Sequence, residues 1–284
     1  MLAKELYLKL YDDFQIEGMK DDWSFVDFND YIFTEFKDKH IGVMLDNSEY
    51  IKKVYTAVFP DKNIIEKILK TGKSDILLFS HHAMGYDGRV DGFPFYNIPK
   101  DYLKQMKEKR ISFYVLHLPL DKNGEYSTSI NLAEALNLEI VDEFCEVEGV
   151  KVGIICRVKF KYVDEFCKHI EGILGHKVKF RNYGDEIIKG GKVAIAAGGG
   201  SYPFVATELS SKGINLYLTG FTRPLQSFQP TIEFHKIAQE NRINIVGATH
   251  YSTEKYACIA MVDYFKELGL SAEFIEGEYY LEDL

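Results

Sequence analysis

The sequence predicts an α/β protein built on mixed, largely parallel sheet. Two observations carry the prediction. Short apolar runs such as DILLFS at 75–80 and SFYVL at 112–116 recur along the chain, and amphipathic segments of about ten residues separate them, the rhythm of βαβ units. A polar break near residue 148 divides this series into two stretches of comparable length.

The elements follow in order. Leu2, Leu6, Leu8, Leu10, Tyr11 and Phe14 recur at helical spacing and predict an opening amphipathic helix over 1–15. The aromatic, acidic stretch 21–39 is assigned no element. Strands are expected at 41–45 and 54–59, then a helix at 62–71 stopped by Gly72, a residue that tolerates the left-handed conformation of a helix end. Strand 75–80, helix 99–110, strand 112–116, helix 129–137 and strand 139–144 complete the first series. The second has strands at 150–159, 177–181, 192–197, 215–218, 243–247 and 272–276. Its helices are expected at 163–174, 204–211, 232–240 and 252–268. Two lobes, 1–148 and 149–284, are therefore expected, closely packed because no long Pro/Ser linker separates them.

Composition narrows the function. The chain has 284 residues, 46% of them apolar, which supports a sizeable core. A net charge of −9 argues against a nucleic-acid partner, since tracking phosphates needs concentrated Lys and Arg. The four cysteines, Cys145, Cys156, Cys167 and Cys258, form no C-x-x-C pair and read as buried thiols of a reducing compartment. The first residues are helical and acidic rather than signal-like, and no apolar run approaches a membrane span. A cytoplasmic protein is expected.

Metal-type side chains collect where strands end. DILLFS runs into His81-His82, SFYVL into His117-Leu-Pro-Leu-Asp121, and INIVGAT into His250-Tyr-Ser-Thr-Glu254. Functional sites of open α/β sheets gather outside the carboxyl ends of strands. Singly, each piece has a plain alternative: an exposed loop pair, a turn aspartate, a carboxylate favoured by a helix start that Ser252 or Thr253 caps. Together, imidazoles and carboxylates suit first-row transition metals, and five ligands exceed what one catalytic zinc takes. A pair of divalent ions (zinc, iron, manganese, cobalt or nickel) on His81, His82, Asp121, His250 and Glu254 is the reading. His40, His169, His176 and His235 are expected to be surface or packing residues. Gly198-Gly199-Gly200-Ser201, between a strand and a helix, is either a tight turn or, with Arg223, a cradle for an anion.

At these segments the sequence resembles the Nif-three-like family, also known as GTP cyclohydrolase I type 2 homologues. The resemblance rests on SHHAM at 80–84, HLPLD at 117–121, INLAEALNLE at 130–139, VAIAAGGGS at 193–201, LYLTG at 216–220 and THYSTE at 249–254. It implies a dinuclear centre on the five residues named above, two similar α/β lobes with the metals between them, and a ring-like homohexamer. His117 matches a histidine beside that centre. The chain departs from the family pattern at KNGEYSTSI, 122–130, and at Phe221-Thr222-Arg223-Pro224.

The functional expectation is a dinuclear metal-dependent hydrolase acting on a small nucleotide-like or phosphorylated molecule, with His117 or Tyr126 assisting proton transfer. A metal-handling protein without turnover, acting through partners, has the same ligand set. So has a regulatory hexamer whose metal is structural.

Overall fold

The computed structural model describes residues 1–21, 23, 26, 28 and 31–284. The protein is α/β, and its chain falls into two compact units, each interrupted in sequence. The first comprises 1–86, 95–120 and 257–277; the second comprises 87–94, 121–256 and 278–284.

In chain order the first unit has helices α1 (Ala3–Asp13) and α2 (Thr34–Lys39), strands β1 (Gly42–Leu45) and β2 (Lys53–Ala57), helix α3 (Lys62–Lys70) and strand β3 (Ile76–Ser80). The short strands β4 (Gly85–Tyr86) and β5 (Phe95–Tyr96), helix α4 (Lys100–Glu108) and strand β6 (Ile111–Val115) follow. A single helical turn, α5 (Leu118–Asp121), leads on to helix α6 (Thr128–Ala135), strands β7 (Glu139–Val147) and β8 (Val150–Arg157), helix α7 (Val163–Leu174) and strands β9 (Lys179–Arg181) and β10 (Lys192–Ala196). Next come helix α8 (Pro203–Ser211), strand β11 (Leu216–Thr219), helix α9 (Gln229–Glu240) and strand β12 (Asn244–Gly247). The long helix α10 (His250–Glu267) carries the chain back to β13 (Ser271–Phe274) in the first unit.

The first unit's sheet has the order β1-β6-β3-β2-β13. Every neighbouring pair is parallel except β1 with β6. All five residues of β3 and of β6 are buried, which is why both read as unbroken apolar runs: a parallel strand covered on both faces has no solvent side. Ile64, Ile65 and Ile68 of α3 and Leu103 and Met106 of α4 join Ile76, Leu78 and Phe113 in one core. Each such buried side chain stabilises by about 1.5–3 kcal/mol. Phe28, Ile32 and Phe36 belong to the same core, with Trp23 packed against it. Part of the aromatic stretch is thus internal, whereas Tyr31 and Phe33 are exposed, and Phe25 lies outside the described residues.

The second unit's sheet has the order β7-β8-β10-β11-β12-β9. Only β10-β11 and β11-β12 are parallel; the other three pairings are antiparallel. The two sheets together are mixed, and the strands on either side of residue 148 pair with each other. β7 and β8 form a hairpin, with Val147 opposite Val150. Its two turn residues, Glu148 (φ 47°) and Gly149 (φ 80°), both take the left-handed conformation that matches strand twist. Residue 148 is therefore the tip of a hairpin inside the second unit, which takes in 87–94 and then 121–256.

All four cysteines are buried and none is in a disulfide. Cys145, Cys156 and Cys167 belong to the second unit and Cys258 to the first. Among the described residues no helix is long and apolar enough to cross a membrane.

Candidate metal centre

The first unit gathers three imidazoles. Parallel pairing sets Ser80, the last residue of β3, beside Val115, the last of β6, so the residues beyond both strands share one edge. Beyond β3 the backbone turns: Ser80 Oγ donates to His82 O, while the amides of His81 and His82 donate to Ala57 O (3.2 Å) and Val58 O (3.0 Å). Two adjacent histidines can thereby join one cluster, which a continuing strand would forbid. The ring centroids of His81 and His82 are 4.5 Å apart, and each lies 4.8 Å from that of His117. One ligand nitrogen from each falls within 4.8 Å of the others. His81 Nδ1 is 3.0 Å from Leu116 O; donating there leaves the lone pair on Nε2. His82 stacks on Phe59, with centroids 4.4 Å apart.

The second unit gathers the carboxylates. Parallel strands β10, β11 and β12 bring three carboxyl ends together, followed respectively by Gly198, Gly220 and His250. On the first turns of α10, His250 Nε2 lies 3.1 Å from Glu254 Oε1, the (i, i+4) neighbour on the same helix face. A ligand oxygen of Asp121 lies within 4.8 Å of one of Glu254. Asp121, at the end of α5, accepts from Thr128 Oγ1 at 2.8 Å.

The start of α10 differs from expectation. Thr249, rather than Ser252 or Thr253, caps it, its hydroxyl accepting from Ser252 N at 3.3 Å. The helix begins two residues earlier than predicted. His250 N donates to Asp283 Oδ2 at 2.9 Å. Ser252 Oγ instead meets His176 Nε2 (2.8 Å), and Thr253 Oγ1 donates back into the helix, to His250 O (2.9 Å). Thr249 holds φ at 63°. For a β-branched residue that conformation is an outlier costing about 1–3 kcal/mol, of the kind that functional sites accumulate.

The glycine run forms a tight turn. Gly198 N donates to Thr253 Oγ1 (2.9 Å), and Gly198 O accepts from Gly220 N (3.1 Å) and Phe221 N (2.9 Å). Ser201 Oγ donates to Phe221 O (2.6 Å). Arg223 is committed to the chain as well: its Nη2 donates to Gly88 O and Val90 O, both at 3.0 Å. These atoms build the loop.

The other histidines serve packing. His40 bonds Asp21 O, His169 Leu136 O and His235 Thr222 O. Burial holds His176 and His235 below the usual imidazole range. Tyr126 is half-buried in the loop between α5 and α6. Two carboxylates that sequence reasoning missed touch residues of the site, Asp21 at His117 (3.1 Å) and Asp283 at His250 N. Neither stands at a strand end, the signal that identified the others.

The donors fit a transition metal. His81, His82, His250 and Glu254 are each at most 6% exposed, and a buried carboxylate is costly unless it is paired or coordinates a cation. Imidazole nitrogen with carboxylate oxygen is a borderline set suited to first-row ions rather than calcium or magnesium.

Residues 32–278 match the family model Duf34/NIF3 (NGG1p interacting factor 3). The chain belongs to this family. Among curated proteins, this Duf34/NIF3 chain is 29% identical over 249 residues to the GTP cyclohydrolase 1 type 2 homolog of Pyrococcus horikoshii, covering 83% of this chain and 88% of that one. It is 28% identical over 255 residues to the protein of the same name from Borreliella burgdorferi, covering 89% and 93%. Among solved structures it superposes on protein ybgI, of unknown function, with a TM-score of 0.74 at 20% identity, covering 98% and 99% of the two chains. For reduced HcgD from Methanocaldococcus jannaschii the TM-score is 0.67 at 22% identity, covering 98% of each. These likenesses establish the shared fold.

Proposed function

We propose that this Duf34/NIF3 protein is a metal-dependent hydrolase of a small nucleotide-like or phosphorylated molecule. In this reading His81, His82, Asp121, His250 and Glu254 hold two divalent transition-metal ions. The observation that supports it most is the burial of imidazole and carboxylate donors at the carboxyl ends of parallel strands. Relatives named GTP cyclohydrolase 1 type 2 homolog point to guanine nucleotides as the first substrates to try.

When bound, such ions acidify water and polarise the bond to be broken. The chain's own residues supply the rest. His81 presents its Nε2 because Leu116 O holds its Nδ1. Asp121 is steered by Thr128, and Glu254 by the helix that also carries His250. His117, beside the imidazole pair, accepts or returns a proton, with Tyr126 as a second candidate for that role. By family resemblance the protein assembles as a homohexamer.

The test is metal analysis followed by a substrate screen. Protein reconstituted under anaerobic conditions is expected to retain about two first-row ions per chain and to hydrolyse GTP or a related phosphorylated compound. Retention of metal with no turnover across nucleotides and phosphate esters would favour a metal-handling role. Absence of any tightly held transition metal would overturn the reading.

A further inference from the structure

We propose that Asp21 is a positioning residue for His117: it fixes the imidazole with its proton on Nδ1, so that Nε2 carries the lone pair offered beside His81 and His82. The inference rests on reading His81 and His82 as metal ligands. Asp21 lies between α1 and α2, before the span 32–278 that matches the family model.

The backbone of Asp21 is held from both sides. Its N–H donates to Lys39 O at 2.9 Å, and its carbonyl lies 2.8 Å from Nδ1 of His40. His40 ends α2 in the left-handed conformation, with φ at 56°. The end of α2 therefore sets where the Asp21 side chain begins. From there Oδ1 reaches His117 Nδ1 at 3.1 Å, across 96 residues of sequence. The Asp21 side chain is only 8% exposed, and its Oδ2 is buried without a hydrogen-bond partner among the described residues. Leaving a buried polar atom unsatisfied costs about 1–3 kcal/mol. A packing role alone would be met more cheaply by an apolar residue. A carboxylate is required where an imidazole must be oriented and made more basic.

The chemistry follows from which nitrogen carries the proton. A carboxylate accepts only, so His117 donates to it from Nδ1, and neutral His117 keeps its lone pair on Nε2. Its ring stands 4.8 Å from both His81 and His82, and Trp23 meets it edge-on at 5.8 Å. With Nδ1 donating to Asp21, it is Nε2 that carries the lone pair of neutral His117.

The test uses the full chain labelled with 15N-histidine, metal-free at about pH 8, where histidine is neutral. Long-range 1H–15N spectra are expected to show a His117 signal of the Nδ1–H form, assigned by its loss in His117→Gln. Asp21→Ala is expected to shift that signal to the Nε2–H form or to a mixture. Co²⁺ affinity, measured by chelator competition, is expected to fall about 10–100-fold. Asp21→Asn, which keeps a neutral acceptor, is expected to retain the tautomer and recover part of the affinity; a purely structural role predicts no such split. An unchanged tautomer with unchanged Co²⁺ affinity in Asp21→Ala overturns the proposal. If Asp21→Ala does not fold, Asp21→Asn decides, and wild-type affinity in it overturns the proposal. Wild-type protein that binds no Co²⁺ defeats the metal reading instead, and the tautomer measurement still judges Asp21.

Discussion

Gly198 lies so close to Glu254 that a side chain on one is incompatible with the position of the other. A methyl group on Gly198 would overlap Glu254 Oε1 and come within 3.2 Å of His250 Nε2. The same residue sits at φ +69°, where any L side chain is strained. The glycine thus clears space for two candidate ligands. Gly198→Ala is expected to weaken Co²⁺ binding at least about tenfold and to cost about 1–3 kcal/mol of stability. Chelator competition and urea unfolding measure the two effects. Full metal affinity in the variant would show that Glu254 can move aside without consequence.

Glu254→Gln preserves shape while removing one negative charge. Turnover of a substrate found in the screen is expected to fall by a factor on the order of 10² or more, because the charge tunes bound metal and water. Folding is expected to survive, since Thr249 and Asp283 hold the helix start without it. A metal carrier would show weaker retention and no activity to lose. Unchanged metal content and activity would reduce Glu254 to a helix-start carboxylate.

Asp283 stands before α10 as an acceptor for the amide of His250. Its backbone carbonyl also accepts from Thr222 N (2.8 Å) and Arg223 N (2.9 Å). Asp283→Ala is expected to lower stability by about 0.5–2 kcal/mol, the usual range for losing a helix-start acceptor. Asp283→Asn, which retains an oxygen, is expected to lose less. Equal unfolding midpoints for wild type and Asp283→Ala would show that water replaces the carboxylate.

Acid sensitivity is expected from Asp75. Hydrogen bonds from Arg110 and then Lys52, both at 2.6 Å, hold its carboxyl down at about 2. A folded value below the unfolded one, about 3.9, stabilises the native state above that range. The contribution is lost as pH falls from about 4 through about 2. Asp75 sits at φ 62°, which Asn also tolerates, so Asp75→Asn isolates the charge. The variant is expected to be less stable than wild type at neutral pH, with the difference closing near pH 2. A difference independent of pH would mean that the ion pairs contribute nothing.

Much of the site was legible because it depends on strand ends. β3 and β6 are buried on both faces and therefore announce themselves as apolar runs, so the residues after them could be placed at one edge from sequence. The hairpin of β7 and β8 was missed because a Glu-Gly turn resembles the polar break between domains. The segment before residue 40 misleads because its buried residues Phe28, Ile32 and Phe36 stand at helical spacing while only Phe36 lies in a helix. Asp21 and Asp283 were illegible for a different reason. Each meets its histidine through the tertiary fold, 96 and 33 residues away, and local pattern carries no trace of such pairs. Thr249 was hidden because the strained cap precedes the residues that look like caps.

The burial of the thiols has a practical consequence. Burial pushes the thiols of Cys145, Cys156 and Cys167 up to about 12, so at neutral pH almost none is in the reactive thiolate form. An alkylating reagent is expected to modify them only when the surrounding structure opens, which turns labelling into a clock for local unfolding. The second unit carries three of these timers, and Cys258 in α10 carries the one for the first unit. Intact-mass spectra after brief pulses of iodoacetamide, followed by peptide mapping, would then read which unit opens first, and how strongly added metal slows each, without any engineered probe.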